Sequence, residues 1–373
     1  MMNKLCVAVL YGGKSGEHEV SLQSAASVIR HLDRSRFEIV PISIDKAGRW
    51  QWNDLRWVET AQGPALPIFP DSPEVRFAQQ QDGRAVVCPV DGTGVASPPI
   101  DVVFPVMHGP YCEDGAIQGL LELADVAYVG AGVLGSAAGM DKDIAKRLAG
   151  LAGLPIAPYV AMTKRAYDRD PSLWLDAVKQ KLELPVFVKP CNMGSSVGIH
   201  KIKTWDALES ALADAFRYDI KVLVEQGIDA REIEVAVLEE DPLFSSQASE
   251  INANPKHEFY SYEAKYLDGD GATVDLPARL DERQMRRVRD LAEQAFTALE
   301  CSGLARVDFF LDRRSGEFFF NEINTLPGFT SISMYPKMME ASGVPYPALL
   351  SRLIDLATAR HAAKKALKTS FAD

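Results

Sequence analysis

"EFFFNEINTLPGFTSISMYP", residues 317–336, ends an apolar strand on an acid and an amide. Side chains alternate along a strand, so Glu322 and Asn324 share one face while Ile323 points to the other. Two oxygen donors thus face one point, after which the chain passes Pro327 and Gly328 into a hydroxyl-rich loop. The run "CSGLARVDFFLD" (301–312) sets Arg306 and Asp308 on one face of an otherwise apolar strand. Charges in such a strand are expensive to bury without a partner or a metal. Two readings stand. A mutual ion pair explains Arg306 and Asp308 but leaves Glu322 and Asn324 unexplained. Asp308, Glu322 and Asn324 on adjacent antiparallel strands would instead make a hard-oxygen site of the kind that holds Mg2+ against nucleotide phosphates.

Further upstream, "PVFVKPCNMGSSVG" (185–198) joins a strand-end lysine, Lys189, to a loop running from Gly194 to Gly198. Small residues let backbone N–H groups approach phosphate oxygens, and the lysine supplies a positive point charge. A tight surface turn would look the same, and the spacing is not that of a P-loop. In "KVLVEQGIDAREIEV" (221–235), Glu225 closes a strand and Glu232 and Glu234 share a face of the next one. Those acids suit a ribose or an adenine amino group, or simply a solvated face. "LYGGKSGEHEVS" (10–21) turns from strand to helix through glycines with Glu17 near the first helical turn, where an acid also serves the helix dipole. His108 in "MHGPYCEDG" lies at the carboxyl end of a strand, where open α/β sheets bind ligands.

The chain has 373 residues, 47% hydrophobic and 24% charged, with a formal net charge of −11. That balance argues against general attraction to nucleic acid or an anionic membrane and favours a small-molecule partner. No run approaches the roughly 20 apolar residues of a membrane helix, and the start lacks a signal-peptide pattern. Five scattered cysteines without CxxC spacing speak against a disulfide framework and fit a reducing cytoplasm.

Strand-like and helix-like patterns alternate in the first third: "LCVAVLY", "EVSLQSAASVIRHL", "FEIVPISI" and "DVVFPVMH" read as a doubly wound α/β unit, with an irregular hairpin region at 60–99. This predicts a first domain over 1–138. Asp141 is an expected helix N-cap, opening a small α+β unit over 139–228 that holds "PSLWLDAVKQKL", "PVFVKP" and "KVLVEQ". The third unit, 229–373, carries expected strands at 232–239, 303–311 and 317–323, a polar loop at 253–273 and a helix at 281–300.

Taken in order, the glycine loop after the first strand, HG, MDK, VKP with GSSVG, VEQ, EAKY, RVDFF and NEINTLPGFT resemble the ATP-grasp ligases, and within them the D-alanine–D-alanine ligase family, over about residues 5–355. The resemblance implies an α/β, three-domain ATP-grasp enzyme with ATP between the second and third domains. It would join two D-alanines through an acyl phosphate, giving ADP and phosphate. By similarity, Lys142, Lys189 and Lys265 meet ATP phosphates under the loop holding Ser195 and Ser196, while Glu225 and Glu232 hold adenine and ribose. Asp308, Glu322 and Asn324 would bind two Mg2+, with Glu322 bridging and Mn2+ able to substitute. Glu17 would anchor the first substrate's ammonium and form a triad with Ser195 and Tyr266 that pins a lid, with His108 also on the substrate side. Arg306 and the Gly328 N–H would stabilise developing charge, and Ser333 with Met334 would receive the second substrate's carboxylate. Tyr266 stands where D-lactate-using relatives commonly carry histidine, which implies an amine nucleophile. A cytoplasmic homodimer without nucleic-acid or membrane partners is implied as well.

Overall fold

Leu5–Gly12 is buried almost throughout, as a central parallel strand covered on both faces must be. It pairs in parallel with Phe37–Ile44 on one side and Val102–Pro105 on the other. Trp50–Trp52 and Ala127–Tyr128 complete a five-stranded sheet, Trp50–Trp52 as its antiparallel edge. The computed structural model of the chain describes residues 4–69, 71–254, 256 and 271–368. Within 60–99 the expected hairpin is present as Val75–Gln79 against Ala85–Pro89. The strand expected over 101–108 is shorter, Val102–Pro105, and His108 follows it in a loop.

A four-stranded antiparallel sheet follows, in the order His200–Ile202, Val186–Pro190, Lys221–Gln226, Tyr159–Thr163. The helix Lys142–Leu151 leads into it. Asp141 caps that helix as expected, its carboxylate accepting from the Asp143 and Ile144 N–H groups at 3.1 Å.

The six-stranded sheet runs Ala272–Asp275, Ser249–Ala253, Ala230–Leu238, Leu304–Asp312, Phe318–Asn324, with Phe244–Ser245 paired to Ala230–Leu238. One face packs Ile233, Val235, Val307, Phe309, Phe320 and Ile323 against the helix Glu282–Ala298. The other face carries the charges. The register between Leu304–Asp312 and Phe318–Asn324 breaks at one point: Asp308 pairs with Glu322, but Phe309 pairs with Phe320, which leaves Asn321 as an extra residue. Strict alternation from Phe318 and Phe320 would drive Glu322 and Asn324 into the apolar core. The bulge resets the phase, so that Ile323 is buried and both polar residues reach the opposite face.

The final helix, Tyr346–Lys365, returns to the first sheet, where Leu349, Leu350, Leu353 and Ile354 join the core of Val7, Val9 and Phe104. Arg360 fixes it by donating to the Tyr128 carbonyl at 2.8 Å and the Gly130 carbonyl at 2.5 Å. Among the described residues no helix is long and apolar enough to cross a membrane.

Candidate active site

The charged face of the six-stranded sheet meets the four-stranded sheet across a cleft crossed by two lysines. Lys142, at the start of its helix, donates to the Met193 carbonyl at 2.7 Å and lies 3.4 Å from Glu322. Lys189, at the end of Val186–Pro190, sits 2.5 Å from Glu225, 3.4 Å from Asn321 and over the Phe310 ring. The buried Glu225 carboxylate is shared with a third lysine, Lys146, at 2.5 Å. Burial works to raise the Glu225 carboxyl, but the lysines on its two oxygens hold it below its ordinary value.

The ion pair expected on the charged strand is present. Arg306 grips Asp308 with two hydrogen bonds of 2.7 and 2.8 Å and lies 3.3 Å from Glu234. The same strand pairing sets Asp308 opposite Glu322 and Arg306 opposite Asn324. Burial pushes the Asp308 carboxyl up to about 7 against the pull of Arg306. Burial also disfavours charge on Arg306, yet Asp308 and Glu234 outweigh it and hold the guanidinium firmly protonated. Among the described residues no three His, Cys, Asp or Glu side chains converge as a metal cluster. The donors are two carboxylates and the Asn324 amide, whose oxygen accepts from the Leu326 N–H at 3.1 Å. All of these donors are hard oxygens. That set fits a small divalent cation completed by water or phosphate oxygens.

Glu17 is the N-cap residue of the helix His18–His31, at the mouth of the first sheet. Ser195 donates to its carboxylate, which brings the glycine–serine loop onto the first sheet. Ser195 and Ser196 take left-handed conformations, φ 52° and 59°, which side chains adopt at a strain that the surrounding contacts must hold. At Gly194 the approach is close instead: a Cβ there would lie 3.2 Å from the Glu17 carboxylate, which would have to give way by a few tenths of an ångström. Glu232 lies on the charged face, opposite Phe310. Lys265 and Tyr266, expected on the lid, lie outside the described residues.

His108 is buried between the Leu326 carbonyl and the Ser24 hydroxyl, each at 3.2 Å. Ser24 accepts from the Phe329 N–H at 3.2 Å, so the helix His18–His31 and the His108 loop together hold both sides of Pro327 and Gly328. Burial opposes charge on His108, but Glu113 at 3.9 Å outweighs it and raises the imidazole. Beyond Gly328, Ser333 accepts from the Thr330 N–H at 3.0 Å, and Met334 opens the helix Met334–Ala341. A Cβ on Gly328 would fall 2.6 Å from the Ser333 hydroxyl. Gly328→Ala is therefore expected to turn that hydroxyl away and break its bonds to Thr330. Loss of about one or two hydrogen bonds, on the order of 1–2 kcal/mol, should appear as a lower Tm, and an unchanged value would show that Ser333 can move freely.

Sequence reasoning missed Lys146, Glu113, Ser24 and Asn321. Lys146 had a signal, since it lies one helical turn after Lys142 on the same face. The others depend on tertiary contacts with no local pattern.

Solved structures that match this arrangement of sheets over nearly the whole chain, at TM-scores of 0.80, place it among the ATP-grasp ligases. The chain belongs to the D-alanine–D-alanine ligase family. The model described as D-ala D-ala ligase N-terminus matches residues 6–131, and that described as D-ala D-ala ligase C-terminus matches 148–355. D-alanine–D-alanine ligase A of Bradyrhizobium diazoefficiens is 69% identical, over 100% of both chains. The structure of the D-alanine–D-alanine ligase from Coxiella burnetii is 36% identical with a TM-score of 0.80, covering 97% of this chain and 96% of that one. The VanG D-Ala:D-Ser ligase of Enterococcus faecalis is 34% identical with a TM-score of 0.80, covering 95% and 100%.

Proposed function

We propose that this protein condenses two D-alanines to D-alanyl-D-alanine with ATP, releasing ADP and phosphate, for peptidoglycan precursor synthesis in the cytoplasm. The observation that carries the reading is the meeting of Lys142 with Glu322, at 3.4 Å, where the cleft also gathers Lys189, Arg306 and Asp308. A phosphoryl donor needs that mix of cations and oxygen donors.

The first D-alanine is held by its ammonium on Glu17, with His108 beside it. Its carboxylate oxygen bonds to the γ-phosphorus while the bond to ADP breaks, leaving an acyl phosphate. This detour converts a poor acyl donor into one with a good leaving group. The amine of the second D-alanine, its carboxylate at Ser333 and Met334, then attacks the acyl carbon and phosphate departs. Lys142, Lys189 and Lys265 orient the polyphosphate under the Ser195–Ser196 loop and Glu232 serves the ribose, whereas Glu225, expected at the adenine, is buried with its two oxygens on Lys146 and Lys189 and acts through those lysines. Arg306 and the Gly328 N–H stabilise charge on the reacting acyl group. Asp308, Glu322 and Asn324 would hold two Mg2+, or Mn2+, which when bound neutralise phosphate charge. By the resemblance, Tyr266 acts with Glu17 and Ser195 to keep water from the acyl phosphate. The working unit is a homodimer joined through the first domain, each chain divided as 1–138, 139–228 and 229–373.

Incubation with ATP, Mg2+ and D-alanine, with product identified by mass, tests the reading. D-alanyl-D-alanine and equimolar phosphate are expected with D-alanine, none with L-alanine, and little depsipeptide with D-lactate as second substrate. Efficient depsipeptide formation would overturn the inference from Tyr266, and ATP turnover with some other carboxylate alone would overturn the D-alanine assignment.

A further inference from the structure

Lys146 is completely buried, a costly place for an ammonium unless its neighbours require one. Its Nζ lies 2.5 Å from one Glu225 oxygen and donates to the Phe320 carbonyl at 3.2 Å. The other Glu225 oxygen, Oε2, lies 2.5 Å from Lys189. Burial lowers the Lys146 ammonium while the Glu225 carboxylate beside it opposes that loss. With both lysines protonated, one carboxylate is divided between two ammonium groups and the three side chains keep one positive charge. Lys189 is the member at the cleft, reaching the Asn321 amide at 3.4 Å. The Phe320 carbonyl immediately precedes the extra residue of the bulge that turns Glu322 toward the cleft.

We propose that Lys146 is a positioning residue for the nucleotide: by occupying one oxygen of Glu225, it leaves Lys189 with positive charge to direct at the polyphosphate. Without Lys146, Glu225 and Lys189 form a closed neutral pair, and the polyphosphate meets a neutralised lysine. The inference rests on the reading of this cleft as the ATP site. It assigns Lys146 no contact with either substrate, so its effect is confined to the nucleotide.

Steady-state kinetics of the purified full chain test this with Lys146→Met, which keeps the stem and removes the charge, beside Lys146→Gln, which keeps a donor for the Phe320 carbonyl. Both are expected to raise KM for ATP about tenfold, the worth of one charge-assisted contact, with KM for D-alanine and kcat within about twofold of wild type. Should Lys146→Met not fold, Lys146→Gln carries the same expectation. An unchanged KM for ATP, or parallel losses in all three constants with a lower Tm, would overturn the proposal by making Lys146 a structural bolt. Lys189→Met separates the two levels of the argument. If it raises KM for ATP while the Lys146 variants do not, only the role of Lys146 fails; if it too leaves nucleotide affinity unchanged, the ATP reading of the cleft fails.

Discussion

Glu322→Gln is expected to lower kcat by about 100-fold to 1,000-fold, the scale seen when one group that stabilises transition-state charge is removed, while lowering stability only modestly. Glu322 is 31% exposed at its side chain and faces Lys142 at 3.4 Å rather than in a tight, dry pair. Lys142 is only 8% exposed but keeps its bond to the Met193 carbonyl, so loss of the pair is expected to change stability by about 1–2 kcal/mol. The amide has the carboxylate's shape, so the bulge and the burial of Ile323 should persist. What disappears is one anionic oxygen donor aimed at the cleft. Parallel measurement of kcat and Tm checks the prediction, and a variant turning over at near-normal rate would remove Glu322 from the cation site.

Arg306→Met is expected to damage both properties at once. Its guanidinium holds Asp308 through two hydrogen bonds and stands 3.3 Å from Glu234, and all three side chains are largely withdrawn from water. Removing it leaves two carboxylates facing each other without the cation between them, at about 3 kcal/mol or more of stability. Turnover should fall by a further factor of about 100 or more, because the donors proposed for the acyl phosphate's developing charge are gone. The contrast with Glu322→Gln is the informative part. If Arg306→Met stays as stable as wild type, the Arg306–Asp308–Glu234 cluster is not the buried brace described above.

Much of this was legible in the chain because apolar runs of the right length declare their strands. "LCVAVLY", "FEIVPISI" and "KVLVEQ" became strands within a residue or two of their expected limits, and Asp141 proved to be the cap its position implied. Period-two alternation also put Glu322 and Asn324 on one face, but it could not reconcile them with Phe318 and Phe320. Those four share parity, and only an extra residue at Asn321 separates the core pair from the polar pair. A bulge leaves no sure mark in a single sequence. The glycine–serine loop hid its conformation for a related reason, since two serines take the left-handed backbone positions usually reserved for glycine. Only its place one helical turn after Lys142 pointed to Lys146, because its burial comes from strands far away in sequence.

Oxygen labelling tests the central claim most directly. With D-alanine carrying 18O in its carboxyl group, one labelled oxygen should pass to the released phosphate for each dipeptide formed, since the carboxylate oxygen that bonds to phosphorus leaves with it. Dipeptide formed alongside unlabelled phosphate would contradict the acyl phosphate, and with it the role given to this cleft.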